Sequence, residues 1–219
     1  MEGAYNLRFD DGEHWRVAAP DVEAFRERCL TSSPKARTFA ARTSLCLWFD
    51  LLVLGERYGV IPDEVIQSIL DVEGGDSDPG VKPATRFLRP PLKGLWHKHW
   101  FSARFLAANM LAAMKRGEPS AWLQEIAAEG EILTEEVLGR IVERLTTTAF
   151  EDRHAAKQVT GEWIVFIERA GVKHYLCLAT TGDQRIYDKI ANVCARDYPD
   201  IVQWIAEAAA QPSRRPQRA

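Results

Sequence analysis

Cysteine pairs of the kind that bind metals or form redox centres are missing from this sequence. The four cysteines form no CxxC pair, and three of them lie among apolar neighbours. We therefore expect buried, reduced thiols, which fits a reducing cytoplasm. An apolar signal core is missing as well, since the first residues read MEGAYNLRFDDGEHW. We expect no secretion by a standard signal peptide and a cytoplasmic location.

Long hydrophobic runs are also missing. The longest, LCLWFDLLVL from Leu45 to Leu54, is interrupted by Asp50 and is about half of what a bilayer span requires. It predicts a buried helix, with Asp50 as a buried carboxylate that hydrogen-bonds a backbone or lysine partner. A net charge of −3 with 46% hydrophobic residues is typical of a soluble globular protein and gives no reason to expect a membrane partner.

The short catalytic fingerprints are absent too. The chain has no P-loop, no GxGxxG, no nucleophile elbow, no HExxH and no kinase signature. Nucleotide hydrolysis, dinucleotide redox chemistry and zinc peptidase activity lose most of their support by this absence. We expect no cofactor.

The spacing of apolar residues predicts an α+β fold that is mostly helical and has a small antiparallel sheet. EWIVFIE and KHYLCLAT predict a C-terminal hairpin at about 162–180, and AYNLRF and EHWRVA, around a DG turn, predict an N-terminal hairpin at about 5–18. We expect one domain over 1–210, with a helical body at 21–158 and the hairpin plus helices at 161–210, and then a flexible basic tail at 211–219. The predicted helices are 21–30, 33–58, 62–73, 96–115, 120–129, 134–147, 184–197 and 199–210.

One stretch contains no acidic residue. From Pro79 to Gly117 there is neither Asp nor Glu, while eight Lys or Arg residues occur. Because the whole chain carries −3 and this stretch +8, the remainder carries −11, which creates a local positive field on an acidic body. The cations are Lys82, Arg86, Arg89, Lys93, Lys98, Arg104, Lys115 and Arg116, interleaved with the rings of Phe87, Trp96, Trp100 and Phe101.

Two interpretations of this stretch stay open. In the first, cationic side chains flank a solvated loop whose aromatic rings anchor it to the core. In the second, the stretch binds an anionic ligand such as phosphate, RNA or an acidic protein. The candidates for anion binding are Lys93, Lys98, Arg86 and Arg89, and those for base stacking or partner contact are Trp96 and Trp100.

The same stretch contains the pair His97 and His99, in WHKHW. Histidine near neutral pH acts as general acid, general base or metal ligand. No carboxylate or thiol accompanies the pair here, so we expect no metal site. The two rings point the same way only if the backbone is extended, because residues two apart diverge on a helix. On the helix predicted from Trp96, Arg104 would share the face of His97.

Metal-independent cleavage of RNA suits these residue types. RNA supplies its own nucleophile, the 2′-hydroxyl, so the protein needs a base, an acid and a cation for the phosphorane. His97, His99 and Arg104 are the catalytic candidates. The alternative is a non-enzymatic protein whose Trp-, Arg- and Lys-rich loop docks an acidic protein partner or nucleic acid.

Residues 162–190, EWIVFIERAGVKHYLCLATTGDQRIYDKI, resemble the C-terminal hairpin of small bacterial ribonuclease toxins of the RelE and barnase type. The resemblance lies in composition and in the order strand, tight turn, strand, helix. It implies a toxin-like ribonuclease, which agrees with the chemistry expected of the histidine pair.

Two further pairs have weaker claims to a site. His154 and Lys157 lie one turn apart on a predicted helix continuation, which is most simply a solvated helix face. His174 and Tyr175 are neighbours on the second strand of the C-terminal hairpin, so we expect them on opposite sides of the sheet, one of them toward the core.

Overall fold

A computed structural model describes residues 3–8, 12–75, 83–100, 163–179 and 182–211. Within these ranges the fold is α+β, as predicted. The strands are β1 Ala4–Arg8, β2 His14–Ala18, β3 Thr85–Arg86, β4 Trp96–His99, β5 Trp163–Arg169 and β6 Val172–Ala179. The helices are α1 Ala19–Ser32, α2 Arg37–Ala40, α3 Leu45–Tyr58, α4 Pro62–Glu73, α5 Asp183–Asn192 and α6 Ile201–Ala210, with short 3₁₀ turns at Pro34–Ala36 and Cys194–Arg196.

Both predicted hairpins are confirmed, and they belong to separate sheets. β1 and β2 pair antiparallel from Ala4 opposite Ala18 to Arg8 opposite His14. This two-stranded sheet packs on the core through Tyr5, whose ring stacks on Phe49 of α3 at a centroid distance of 5.5 Å. The second hairpin, β5–β6, forms one half of a four-stranded antiparallel sheet with the order β3-β4-β5-β6.

The other half of that sheet, strands β3 and β4, corrects one prediction. The helix predicted from Trp96 is wrong over its first residues, because Trp96–His99 are strand β4 and pair with β5, from Trp96 opposite Phe166 to His99 opposite Trp163. β5 is almost continuously apolar, and its buried backbone needs hydrogen-bond partners on both edges. β4 meets that need, and tertiary pairing therefore overrides local helix propensity.

Other sequence predictions fall where the structure gives no description. The remainder of the 96–115 helix and the helices at 120–129 and 134–147 lie outside the described residues, as do Arg104, His154 and Lys157. The single-domain organisation and the tail at 211–219 stay predictions.

A second prediction, one helix over 33–58, is also wrong. The chain leaves helical geometry between α2 and α3, and Thr43 forms a parallel bridge with Tyr175 of β6. Tyr175 N–H donates to Arg42 O at 2.8 Å, and Ser44 N–H donates to Tyr175 O at 2.9 Å. The break satisfies the outer edge of β6, and the Ser44 side chain caps the restarted helix by accepting from Cys46 N–H.

The core lies between α3 and the sheet, and it contains the carboxylate that the sequence predicts to be buried. Asp50 is 2% exposed; it accepts the Leu178 N–H at 2.9 Å and the Lys189 ammonium at 2.5 Å, which confirms the expected backbone and lysine partners. Burial disfavours the charged ammonium, but the Asp50 carboxylate outweighs this effect and raises the pKa of Lys189. The pair thus ties α3 to β6 and α5.

All four cysteines are buried and none forms a disulfide, as expected. None of the helices in the described ranges reaches the length and apolar character that a membrane crossing needs.

One glycine sets the distance between α6 and the loop that joins β3 to β4. A Cβ on Gly94 would lie 2.7 Å from both Ala208 C and Ala209 N, and the Gly94 φ of +95° is unfavourable for any side chain. Beside this contact the Arg86 guanidinium donates to Ala208 O at 2.6 Å and to Gly94 O at 3.3 Å. The loop and the C-terminal end of α6 are therefore in direct backbone contact.

Replacing one member of the buried ion pair should be far more damaging than replacing an exposed one. We expect Asp50→Asn or Lys189→Met to lower the free energy of unfolding by about 3–5 kcal/mol, because each leaves a buried or mostly buried charge without its counter-ion. The double variant should recover part of this loss, because it leaves no unpaired charge and its amide oxygen still accepts the Leu178 N–H. The matched control is Glu27→Gln in the exposed Arg26–Glu27 pair, expected to cost less than about 1 kcal/mol. Equal effects of Asp50→Asn and Glu27→Gln in urea unfolding would contradict the prediction.

Gly94→Ala should destabilise the protein more than Gly171→Ala. Gly171, in the β5–β6 turn, also has a positive φ of +76°, but nothing lies within 4 Å of the place that a Cβ would take there. We expect Gly171→Ala to lower the free energy of unfolding by about 1 kcal/mol through backbone strain. We expect Gly94→Ala to lower it by about 3 kcal/mol, because the clash with α6 adds to the strain. Thermal unfolding followed by circular dichroism measures the stability of both variants. Equal losses of stability would contradict the prediction, because they would show that α6 moves away from position 94 without an energetic penalty.

Candidate functional site

Strand β4 brings the two histidines together. Alternate residues of a strand share a face, so His97 and His99 lie on one side of the sheet and Trp96 and Lys98 on the other. The two imidazole centroids are 5.4 Å apart with an angle of 77° between the ring planes. The extended backbone that this arrangement requires is the one found.

His97 is enclosed by rings and by one hydroxyl. Its centroid lies 4.4 Å from that of Phe87 and 5.0 Å from that of Trp163. Its Nε2 is 2.9 Å from Thr85 Oγ1, on the residue directly opposite in β3. Its Nδ1 is buried and has no hydrogen-bond partner among the described residues. Burial first, and the nearby His99 second, lower the pKa of His97 to about 4, so its imidazole is neutral at neutral pH.

His99 has an indole as its neighbour. Trp163 Nε1–H donates to His99 Nε2 at 3.3 Å, from the residue directly opposite in β5. Because an indole nitrogen only donates, His99 Nε2 acts as the acceptor and, in a neutral ring, Nδ1 carries the proton. Trp163 and Thr85 were missed by the sequence analysis, which had no register with which to place them opposite the histidines.

Of the four described cations of the acid-free stretch, two are engaged away from the histidines and two lie in a loop. Lys98 lies on the opposite face of β4 with its side chain fully buried. Arg86 lies opposite Trp96, and its guanidinium is bound to the carbonyls of Ala208 and Gly94. Arg89 is exposed and Lys93 partly exposed, both in the loop between β3 and β4.

The two tryptophans predicted to stack on bases have different environments. Trp96 is partly exposed and lies nearly parallel to Phe166, with centroids 6.2 Å apart and planes 12° apart. Trp100 is buried, and its indole nitrogen has no partner among the described residues. Of the two rings, Trp96 is therefore the one with surface available to a ligand.

Trp96 lines a groove of about 1290 Å³ between the sheet and α6, here called the Trp96–Trp204 groove. Trp204 of α6 forms part of the wall, and the Arg169 guanidinium lies over its ring at 4.6 Å from the centroid. Glu207 is 3.7 Å from Arg169. Trp204 and Arg169 were not predicted from the sequence, since no local pattern connects either of them to Trp96.

The other side of Trp204 contacts His174, at a centroid distance of 5.3 Å. His174 and Tyr175 face opposite sides of β6 as expected, with Tyr175 in the core donating its hydroxyl to Glu73 at 2.6 Å. Burial lowers the pKa of His174. Its Nδ1 and the Trp204 Nε1 are both buried without hydrogen-bond partners among the described residues.

No cluster of three His, Cys, Asp or Glu side chains able to hold a metal occurs within the described ranges. Comparison of the chain with protein-family models, with curated proteins and with solved structures finds no match.

The lowered pKa of His97 makes stability depend on pH. The unfolded chain binds a proton at His97 near pH 6.5 and the folded chain only near pH 4, so stability falls as pH drops between these values. We expect His97→Gln to weaken the dependence of the free energy of unfolding on pH between these values, as measured by urea unfolding. The pH dependence that comes from His174 should remain. His14→Gln, a change at an exposed histidine of β2, is the control for replacing a histidine by glutamine as such. An unchanged pH dependence in His97→Gln would contradict the prediction.

Proposed function

We propose that this protein cleaves RNA without a metal ion, using His97 and His99 as its acid–base pair. The observation that carries the proposal is their position on one face of β4 with ring centroids 5.4 Å apart. Two imidazoles at this spacing are close enough to contact one phosphodiester together.

The two rings have environments that suit different roles. A neutral His97 accepts the proton of the RNA 2′-hydroxyl at Nε2, where the 2′-hydroxyl takes the place of the Thr85 hydroxyl, and the 2′-oxygen then forms a bond to phosphorus. His99, protonated after its Nε2 gives up the hydrogen bond from Trp163, donates to the 5′-oxygen as the bond between phosphorus and that oxygen breaks, leaving a cyclic phosphate and a free 5′-hydroxyl. The burial that keeps His97 neutral also makes it a weak base, so we expect modest turnover.

Positive charge near the phosphate would come from the loop between β3 and β4. Arg89 and Lys93 lie on that loop, and neither is bound to a carboxylate of the described residues. Arg104, the third candidate cation, lies outside the described residues. Lys98 and Arg86 are less suited to this role, because the first is buried and the second is bound to Ala208 O.

The resemblance to ribonuclease toxins also supports the proposal. It covers the β5–β6 hairpin and α5, and β5 is the strand that pairs with the histidine strand. Trp163, the first residue of β5, donates the hydrogen bond to His99. The hairpin that resembles those toxins is thus in direct contact with the two histidines.

A second candidate function is non-enzymatic docking of an acidic protein. It is favoured by the exposed tip of the loop between β3 and β4, where Leu88 is 69% exposed and Arg89 follows it. An apolar side chain next to a cation is a common anchor in protein interfaces.

The test is cleavage of a mixed RNA pool in EDTA by wild type, by the His97→Ala/His99→Ala double variant and by His14→Ala as the matched control. We expect wild type and His14→Ala to cut, and the double variant to be slower by about a hundredfold or more, since each acid–base group typically contributes that much. Circular dichroism shows whether the double variant is folded. Equal cleavage by a folded double variant would refute the assigned mechanism.

Binding measurements separate the two functions when no RNA is cut. RNA shifted in a gel but left intact, or an acidic protein bound in its place, would favour docking. Charge reversal by Arg89→Glu and Lys93→Glu should then abolish binding, while the histidine variants should bind normally. Arg86→Glu is the less informative change, because it also removes the hydrogen bond to α6.

A further inference from the structure

We propose that the Trp96–Trp204 groove binds the unpaired bases of single-stranded RNA. This inference rests on the proposed function, and it assigns the substrate class and a binding subsite next to the histidines, lined by Trp96 of β4. Trp204 and Arg169 are the residues that it adds.

The rings of the groove offer surfaces for stacking. Trp96 lies against Phe166 and contributes to the groove wall, and Trp204 faces the same space from α6. The Arg169 guanidinium already lies over the Trp204 ring at 4.6 Å. Because Arg169 covers this face of the ring and His174 contacts its other side, a base would stack on the guanidinium that Trp204 supports.

Two buried polar groups beside the groove have no hydrogen-bond partner among the described residues. Trp204 Nε1 and His174 Nδ1 belong to adjoining rings, and both are buried without hydrogen-bond partners among the described residues. An indole N–H only donates, and leaving it unsatisfied is unfavourable. Trp204 lines the groove, so a small shift of its indole on binding would bring the N–H to an acceptor, and the base edges and phosphates of RNA are rich in acceptors.

The charges around the groove favour an anionic strand. Arg86 and Arg169 line it, and Arg89 and Lys93 adjoin its lining residues Leu88 and Gly94 in the loop. Against these four cations stand two carboxylates, Glu168 and Glu207, and the second is within 3.7 Å of Arg169. The surplus lies on the loop side, where it would meet phosphates.

The shape of the groove selects single strands. Its volume of about 1290 Å³ exceeds the roughly 300–1,000 Å³ of a pocket for one small molecule. Bases in a duplex are stacked on each other and cannot reach aromatic side chains, whereas unpaired bases can. Thr85, on the edge strand β3, lines the groove and is hydrogen-bonded to the His97 ring, so a bound RNA strand has a short path from the groove to the histidines.

The test uses the His97→Ala/His99→Ala variant as parent, so that RNA is bound without being cut. Fluorescence anisotropy would measure the affinity for a labelled single strand of about ten nucleotides and for the corresponding duplex. We expect Trp204→Leu and Arg169→Gln each to weaken single-strand binding about tenfold, as loss of one stacking contact does. Trp204→Phe, which keeps a ring, should restore most of the affinity. Val202→Ala, an exposed change on the same helix outside the groove, is the matched control, and circular dichroism verifies folding.

The outcomes separate this inference from the proposed function. Folded Trp204→Leu and Arg169→Gln variants that bind as the parent does would overturn the groove assignment, as would equal affinity for duplex RNA. Binding of an acidic peptide but not RNA, with loss in the same variants, would overturn it in favour of a protein partner. A groove that binds single strands in a protein that cuts none would support this inference and refute the proposed function alone.

Discussion

The structure of the candidate site depends on the pairing of β4 with β5. In this register His97 lies opposite Val165 and His99 opposite Trp163, and the alternation of the strand then fixes which side chains share a face. A slip by one residue would exchange the two faces of β4, with both histidines on the side now taken by Trp96 and Lys98. The hydrogen bond to Trp163, the ring cluster around His97 and the wall of the groove all follow from this one register.

The remainder of the fold holds that register in place. β5 is the central strand, and the β6 edge beyond it is occupied by the backbone at Thr43. α3 is tied to β6 by the Asp50 carboxylate, which contacts both Leu178 N–H and the Lys189 ammonium. An ion pair in a dry core contributes little net stability but penalises arrangements that separate its members. In this protein those arrangements include any displacement of α3 along the sheet.

Local patterns predicted the local parts of this fold. The two hairpins and α4 were predicted from turn residues and from apolar periodicity, which are patterns that span only a few neighbouring residues. Asp50 was predicted to be a buried, hydrogen-bonded carboxylate because it interrupts an apolar run. The two wrong predictions, the helix at Trp96 and the unbroken helix over 33–58, share a cause. In each case a segment that was predicted to be helical is not helical, because it pairs with the C-terminal hairpin. His99 and Trp163 are more than sixty residues apart in sequence, so a local sequence pattern does not contain both partners. The histidine pair was found from composition, but Thr85, Trp163, Arg169 and Trp204 became visible only through the register.

Strand β3 has only two residues, and each is attached to a different part of the molecule. Thr85 is hydrogen-bonded to the His97 ring, while Arg86 is bound to the last turn of α6 through Ala208 O. A displacement of α6 would therefore act on Arg86, whose chain neighbour carries the hydroxyl that orients His97. The attachment of α6 and the geometry of the imidazole are thus joined at a single dipeptide.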